Sequence, residues 1–254
     1  MNRDVKNYNQ SVWSSCEIIK YLAGRDWCRL KDISENLEIE QARTHRLLNA
    51  LIAQGFVQYN SDTRKYKLGF QFYNIVHRMT RDRILNISIP FMEAMADSLN
   101  EVVNLGLMDE DKTKMHYIYR LDGNLSLIFG DAPSGIHESA LGKCMLAFQP
   151  KSIRTDIINK LSYTQYTDHS IMSSHVLINE IESIRKTGYA VDAEEIVEGI
   201  YCIGIPLLDS SQQVIAGISV SLTEKPTREK MKEVLSVMRK TAMSISKALS
   251  TPQD

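Results

Sequence analysis

The 254-residue chain has no apolar run approaching the ~18–20 residues that cross a bilayer, so no membrane partner is expected. Its first ten residues, MNRDVKNYNQ, lack the apolar core of a secretory signal and predict a cytoplasmic protein. Cysteine is scarce. Cys16, Cys28, Cys144 and Cys202 are far apart, with no CxxC pair, which predicts reduced, mostly buried thiols instead of a disulfide framework. Catalytic signatures are missing too: there is no G-x-S-x-G, no phosphate-binding P-loop and no H-E-x-x-H. His116, His137, His169 and His175 are scattered and read as surface or core residues. A His137–His169–Cys144 zinc cluster is the one metal reading they leave open. Cys202 sits in an apolar run without an adjacent cation, a poor setting for a thiolate. No catalytic residue, cofactor or metal is therefore expected. The composition, 43% hydrophobic and 24% charged, is that of an ordinary folded protein.

Charge is present but uneven. The net value is −1, yet residues 1–83 carry 14 Lys and Arg against 9 Asp and Glu, leaving 16 against 22 for the remainder. A basic front and an acidic back point to different partners.

The front reads as three helices followed by a hairpin. SVWSSCEIIKYLA (residues 11–23) has apolar residues at helical spacing and stops at Gly24; KDISENL places Ile33 and Leu37 four apart. The third helix covers about residues 40–54. Thr44, Leu47, Leu48, Leu51 and Ile52 fall on one side, and Ala42, His45, Arg46, Asn49 and Ala53 on the other, with Gln41 and Arg43 on the flanks. A helix that carries an apolar stripe and a polar outer face suits a helix-turn-helix, whose second helix enters the major groove. Arg can bind guanine, and Gln adenine, through two hydrogen bonds. A solvated face on a core helix is the competing reading. FVQYN and KYKLG then alternate around the turn SDTR, a wing that would carry Arg64 and Lys65 towards phosphate. The tight turn before the third helix has Glu38; if left-handed, that residue costs about 1 kcal/mol.

Beyond this, residues 70–86 predict a linker helix and residues 88–99 a further helix, with Pro90 in its first turn. The linker helix could pair with its twin in a dimer or lie within a domain. VVNLGLMD, KMHYIYR and LSLIFGD predict strands, HESALGKCMLAF a turn into a helix, SIRTDIINKL and HVLINEIESIRKTG helices. GIYCIGIPLLD and QVIAGISVSLTE predict two more strands, and a last helix runs from about Thr227 to Leu249. On QVIAGISVSLTE, Gly217, Ser219 and Ser221 share one face. Small residues there predict either a shallow polar pocket or a face closely covered by a helix.

The order SVWSSCEIIKYLAG, LKDISENLEI, THRLLNALIAQGFV, DTRKYKLG resembles the N-terminal domain of IclR-family bacterial transcription regulators, especially in His45–Leu48 and Tyr66–Gly69. Glu40, Gln41, Ala42 and Arg43 replace the family's more usual Pro-Lys-Ser-Thr run, so no operator is carried over. The back part is similar to that family's effector domain, and the resemblance covers nearly the whole chain. It implies an α/β protein of two domains: a winged helix-turn-helix over 1–72, a linker helix over 73–86, and a GAF/PAS-like effector-binding and oligomerisation domain over 87–254. Gln41, Ala42, Arg43, His45, Arg46, Asn49, Arg64 and Lys65 are then the expected contacts to double-stranded DNA. ESALGKCMLAF, GYAVDAEEIVEGIYC and ISVSL resemble the effector-pocket segments, which implies Ala140, Leu141, Asp192, Cys202, Ser219 and Ser221 as effector contacts. Family members bind small organic acids there. Serine hydroxyls and loop N–H groups would hold a carboxylate, and Asp192 would accept from a ligand hydroxyl or hydrated carbonyl. Leu141 is bulkier than the small residue some members have, and Tyr201 stands where Arg is common. The resulting expectation is a ligand-responsive DNA-binding regulator acting as a homodimer or dimer of dimers. An enzyme and a ligand-free dimerisation scaffold are the alternatives.

Overall fold

The computed structural model describes residues 8–121 and 134–251; the expected strand LSLIFGD lies outside them. The chain divides into two units, Met1–Asp82 and Arg83–Asp254.

In the first unit, α1 (Gln10–Ala23) starts at Asn9, whose side chain accepts from the Ser11 and Val12 amides, meeting two of the donors a helix start leaves open. It buries Ser14, Ile18 and Leu22, each four residues on. A two-residue strand β1 (Cys28–Arg29) leads into α2 (Leu30–Asn36) and then α3 (Gln41–Ala53). Leu48 and Leu51 of α3 meet Ile18, Leu22 and Ile33 in one core, and Thr44 on the same helix is also buried. Strands β2 (Val57–Asn60) and β3 (Lys65–Leu68) pair antiparallel with Val57 opposite Leu68, and β1 adds to the other side of β3. The Asn60 side chain accepts from the Asp62 and Thr63 amides and so shapes the hairpin tip. Between α2 and α3, Glu38 is left-handed at φ 52°, the strained conformation that the turn demands of a residue with a Cβ.

Sequence spacing separates a linker helix from a helix at 88–99. The structure instead has one helix, α4 (Gln71–Leu99), with Pro90 inside it. Proline cannot donate to the carbonyl four residues earlier. Here that carbonyl belongs to Asn86, and both Pro90 and Asn86 are exposed, so water can meet the orphaned acceptor. The stripe Ile84, Ser88, Met92, Met95 and Leu99 is buried straight through the proline, and its packing keeps the helix continuous.

The second unit is built on a six-stranded antiparallel sheet. In chain order its strands are β4 (Val102–Met108), β5 (Lys114–Leu121), β6 (Ser134–Gly135), β7 (Ala190–Ala193), β8 (Tyr201–Leu208) and β9 (Val214–Leu222). Their order in the sheet is β6-β5-β4-β9-β8-β7. Sequence spacing missed β7, too short for a two-residue period to register. One face of the sheet is apolar: Val103, Leu105, Ile203, Ile205, Ile218 and Val220 pack against α4 and α8 (Arg228–Ser250). Arg83 donates to the Leu249 and Thr251 carbonyls, capping the C-terminal end of α8. The opposite face carries α5 (Ala140–Ala147), backed by α6 (Lys151–Lys160) and α7 (Ser174–Thr187). Helix α7 ends at Gly188, left-handed at φ 82°, whose amide donates to the Ile184 carbonyl, a glycine C-cap.

Candidate functional site

Helix α3 turns Gln41, Ala42, His45, Arg46 and Asn49 outward, all exposed, while its apolar stripe holds it on the core. Arg64 is exposed at the hairpin tip, left-handed at φ 54°, and Lys65 follows it, half-buried at the start of β3. Arg43 departs from expectation. Its Nη2 donates to the Gln10 carbonyl at 3.0 Å and to Ser14 Oγ at 3.3 Å, so it ties α3 to α1 instead of facing outward. Lys67 is likewise engaged, its Nζ 4.7 Å from the Trp27 ring centroid.

In the second unit the sheet face beneath α5 serves two purposes. Gly106, Gly204 and Gly217 admit the helix: a Cβ on Gly204 would lie 2.5 Å from the Ala140 carbonyl oxygen. Leu141 wedges between the other two glycines, its Cδ atoms 2.7–2.8 Å from where their Cβ atoms would be. Further along the same face polar residues take over and floor a cavity of about 260 Å³. The pairing register sets out two polar rows. Asp192 faces Cys202, which faces Ser221; Ser219 faces Asn104, which faces Arg120.

Four of the expected effector residues line this cavity: Ala140, Asp192, Cys202 and Ser221. Two do not. Leu141, 1% exposed, is consumed by the wedge, so its bulk leaves the cavity alone. Ser219 lies behind Asn104, whose Nδ2 donates to Ser219 Oγ at 3.3 Å. Small residues on this face therefore do two different things: Gly204 and Gly217 admit the helix, while Cys202 and Ser221 line the cavity.

Sequence reasoning missed Asn104, Tyr117, Arg120, Ser134, Glu138, Ser139 and Tyr166, with Ile196, Val197 and Ile200, which also line the cavity. Asn104 was legible as the single polar residue in VVNLGLM. Tyr117 and Arg120 were not, because strict alternation puts residues three apart on opposite faces. A bulge re-aims them: Leu105 faces Tyr119 and Gly106 faces Tyr117, leaving Ile118 as the extra residue.

The charges around the cavity are unequal in freedom. Glu138 accepts from the Tyr166 hydroxyl and the Gly135 amide. Asp192, 4% exposed, accepts from the Glu195 amide at 2.8 Å. Burial raises its pKa to about 6, against the lowering effects of that bond and of Lys143. Behind it the fully buried Lys143 places Nζ 2.5 Å from both Glu180 and Glu195 and 2.8 Å from the Val191 carbonyl. Burial likewise raises Glu195 to about 7. Cys202 is pushed up to about 12 by burial and then by Asp192, and its Sγ donates to Ser221 Oγ at 3.3 Å; it is no nucleophile at neutral pH. Tyr201 donates to Glu194 at 2.6 Å and does not line the cavity. Among the described residues no group of three or more His, Cys, Asp or Glu could hold a metal ion, which removes the His137–His169–Cys144 cluster.

A winged helix-turn-helix unit joined in one chain to an α/β unit with a cavity defines a class: DNA-binding regulators with a second, α/β domain. Two family models match, the IclR helix-turn-helix domain over residues 15–61 and the bacterial transcriptional regulator IclR C-terminal domain over residues 76–247. The chain belongs to the IclR family of transcriptional regulators. It is 26% identical over 254 residues to the HTH-type transcriptional regulator KdgR of Escherichia coli K12, covering 96% of this chain and 95% of that one. To the HTH-type transcriptional repressor AllR of the same organism it is 29% identical, over 87% and 82% of the two chains. Among solved structures it is similar to the Thermotoga maritima IclR, with a TM-score of 0.63, 27% identity, and 95% and 99% of the chains covered. These relatives are regulators and not enzymes.

Proposed function

We propose that this DNA-binding regulator senses a small organic acid in the cavity of its second unit and works in the cytoplasm as a homodimer or dimer of dimers. Gln41, Ala42, His45, Arg46 and Asn49 meet base edges, and Arg64 and Lys65 meet phosphate. The observation that carries the reading is the outward polar face of α3 joined to a basic hairpin tip in the same small unit. One fixed body can then offer a groove reader and a backbone clamp together. Dimerisation draws support from apolar residues that the first unit leaves exposed, Val12 and Trp13 on α1 and Tyr73, Val76 and Met79 on α4. Two-fold pairing would set twin α3 helices against half-sites about 34 Å apart. Effector binding shifts the population between placements of the two front units, and so changes operator affinity.

The experiment is fluorescence anisotropy on promoter fragments, with and without small carboxylic acids. Arg46→Ala weakens binding by about 1–3 kcal/mol if Arg46 reads a base. Arg43→Ala, measured where the protein is fully folded, changes binding far less. An affinity for promoter DNA no greater than a neutral protein's in dilute buffer overturns the reading.

A further inference from the structure

Helix α5 begins at the cavity, where Ala140 lines it, and ends at a second recess of about 460 Å³, lined by Phe148 and Gln149. Lys112, Lys151, Arg154 and Arg185 also line this recess, and its described lining contains no Asp or Glu. The four cations come from three places: the turn between β4 and β5, the start of α6 and the last turn of α7. Asp109 and Asp209, which begin the β4–β5 and β8–β9 turns, stay out of the lining, and each accepts from two backbone amides. The hydrogen bonds of the cations go to neutral groups. Arg154 Nη1 donates to the Ala147 carbonyl at 3.2 Å, and Arg185 Nη1 donates to the same oxygen at 3.0 Å. Lys112 Nζ donates to Gln149 Oε1 at 3.0 Å. Of the four, only Arg154 reaches a carboxylate among the described residues, Glu182 at 3.7 Å, and Glu182 is exposed.

Two guanidiniums that meet at one carbonyl oxygen repel each other across a short gap. Burial, and next Arg185, hold the Arg154 pKa below its ordinary value. Helix α6 adds the positive end of its dipole, with no acidic residue in its first turn. A basic patch that only met water would let its long side chains spread. Here Arg154 is buried and fixed by the Ala147 and Gln149 carbonyls, so part of the cluster is set before any ligand arrives. We infer that this recess is a second ligand site, separate from the cavity, and that it takes the phosphate group of a small hydroxylated molecule. Guanidinium forks and ammonium donors together suit a dianion with three oxygens. Ser211, Gln212 and Gln213, on the turn between β8 and β9, add neutral residues able to bond hydroxyls. The recess is larger than one phosphate needs, which leaves space for the rest of the molecule.

The test is titration calorimetry on the full chain with inorganic phosphate, glycerol 3-phosphate and glycerol, all at one ionic strength. The expected result is binding of both phosphates, tighter for glycerol 3-phosphate, and none of glycerol. Lys151→Gln and Arg185→Gln should each weaken it about ten- to a hundredfold. Arg46→Ala, on the DNA-facing helix of the first unit, should leave it unchanged. In phosphate-free buffer Lys151→Gln should melt no lower than the parent, because it removes an exposed charge from a crowded set; a lower melting point refutes the crowding. Equal binding of the two phosphates overturns the hydroxylated ligand and leaves a site for free phosphate. Binding that survives both Lys151→Gln and Arg185→Gln, or that Arg46→Ala abolishes, puts the anion elsewhere and overturns the site. If neither phosphate binds and the two variants lose affinity for promoter DNA instead, the cluster is a DNA-backbone contact and the inference falls. The acid-sensing reading stands or falls separately, on titrations with carboxylic acids.

Discussion

Replacing Gly204 by Ala adds one methyl group where the sheet has no room for it. The new Cβ would lie 2.5 Å from the Ala140 carbonyl oxygen, 2.6 Å from its carbon and 2.8 Å from the Leu141 nitrogen. All three are backbone atoms of the first turn of α5, so no side chain can rotate away. The helix start must lift off the sheet, and overpacking of that kind costs about 1–3 kcal/mol. For a unit of this size that lowers the melting temperature by roughly 2–12 °C. Gly106→Ala is the matched control. There the first obstacles are the ends of flexible side chains, Met115 Cε at 2.5 Å and Leu141 Cδ2 at 2.7 Å, so its cost should be smaller. Differential scanning calorimetry of both variants reads the comparison. Because Ala140 also lines the cavity, Gly204→Ala should weaken acid binding beyond what lost stability explains. A Gly204→Ala protein that melts with the parent, or a Gly106→Ala protein that suffers more, would show that α5 does not seat on the sheet as described.

Glu38→Gly should stabilise the first unit by about 1 kcal/mol, since glycine enters the left-handed region without the Cβ penalty; an unchanged or lower urea midpoint refutes it. Asp192→Asn should help stability increasingly as pH rises. In the folded chain Asp192 titrates near 6 and Glu195 near 7, against ordinary values of 3.8 and 4.5. Their contribution is fully present below about pH 4 and is lost as pH climbs through 6 and 7, because the unfolded chain ionises first. Each group accounts for about 3 kcal/mol at most. The stability difference between Asp192→Asn and the parent should therefore grow from pH 5 to pH 8, and a difference that is flat or shrinks over that range rules the account out.

Most of the helices were legible because each has one buried face and a period to show it, and β4, β8 and β9, buried on both faces, were legible as apolar runs. Ile18 and Leu22, or Leu48 with Leu51 and Thr44, mark a helix as plainly in sequence as in the structure. What was hidden depends on contacts between segments far apart in the chain. Strands β1 and β7 are too short to carry a period. Pro90 sits within α4 because its neighbours pack on a sheet that the local sequence does not mention. Arg43 looks like its exposed neighbours on α3 until α1 offers it the Gln10 carbonyl and the Ser14 hydroxyl.

The sheet face under α5 shows why site residues are harder to read than elements. Alternation alone groups Gly217, Ser219 and Ser221 and cannot say which of them meets a helix, a neighbouring strand or open space. Packing sorts them: Gly217 receives Leu141, Ser219 receives Asn104, and only Ser221 reaches the cavity. The same packing removes Leu141 from the cavity lining. Arg120 enters it by an irregularity, one extra residue in β5 that shifts the phase of everything after it. A cavity lining built partly on such a phase shift can change its charge with one insertion or deletion while the strand order and the core on the opposite face stay as they are. On this sheet the chemistry of the cavity lining can therefore change without a change of fold.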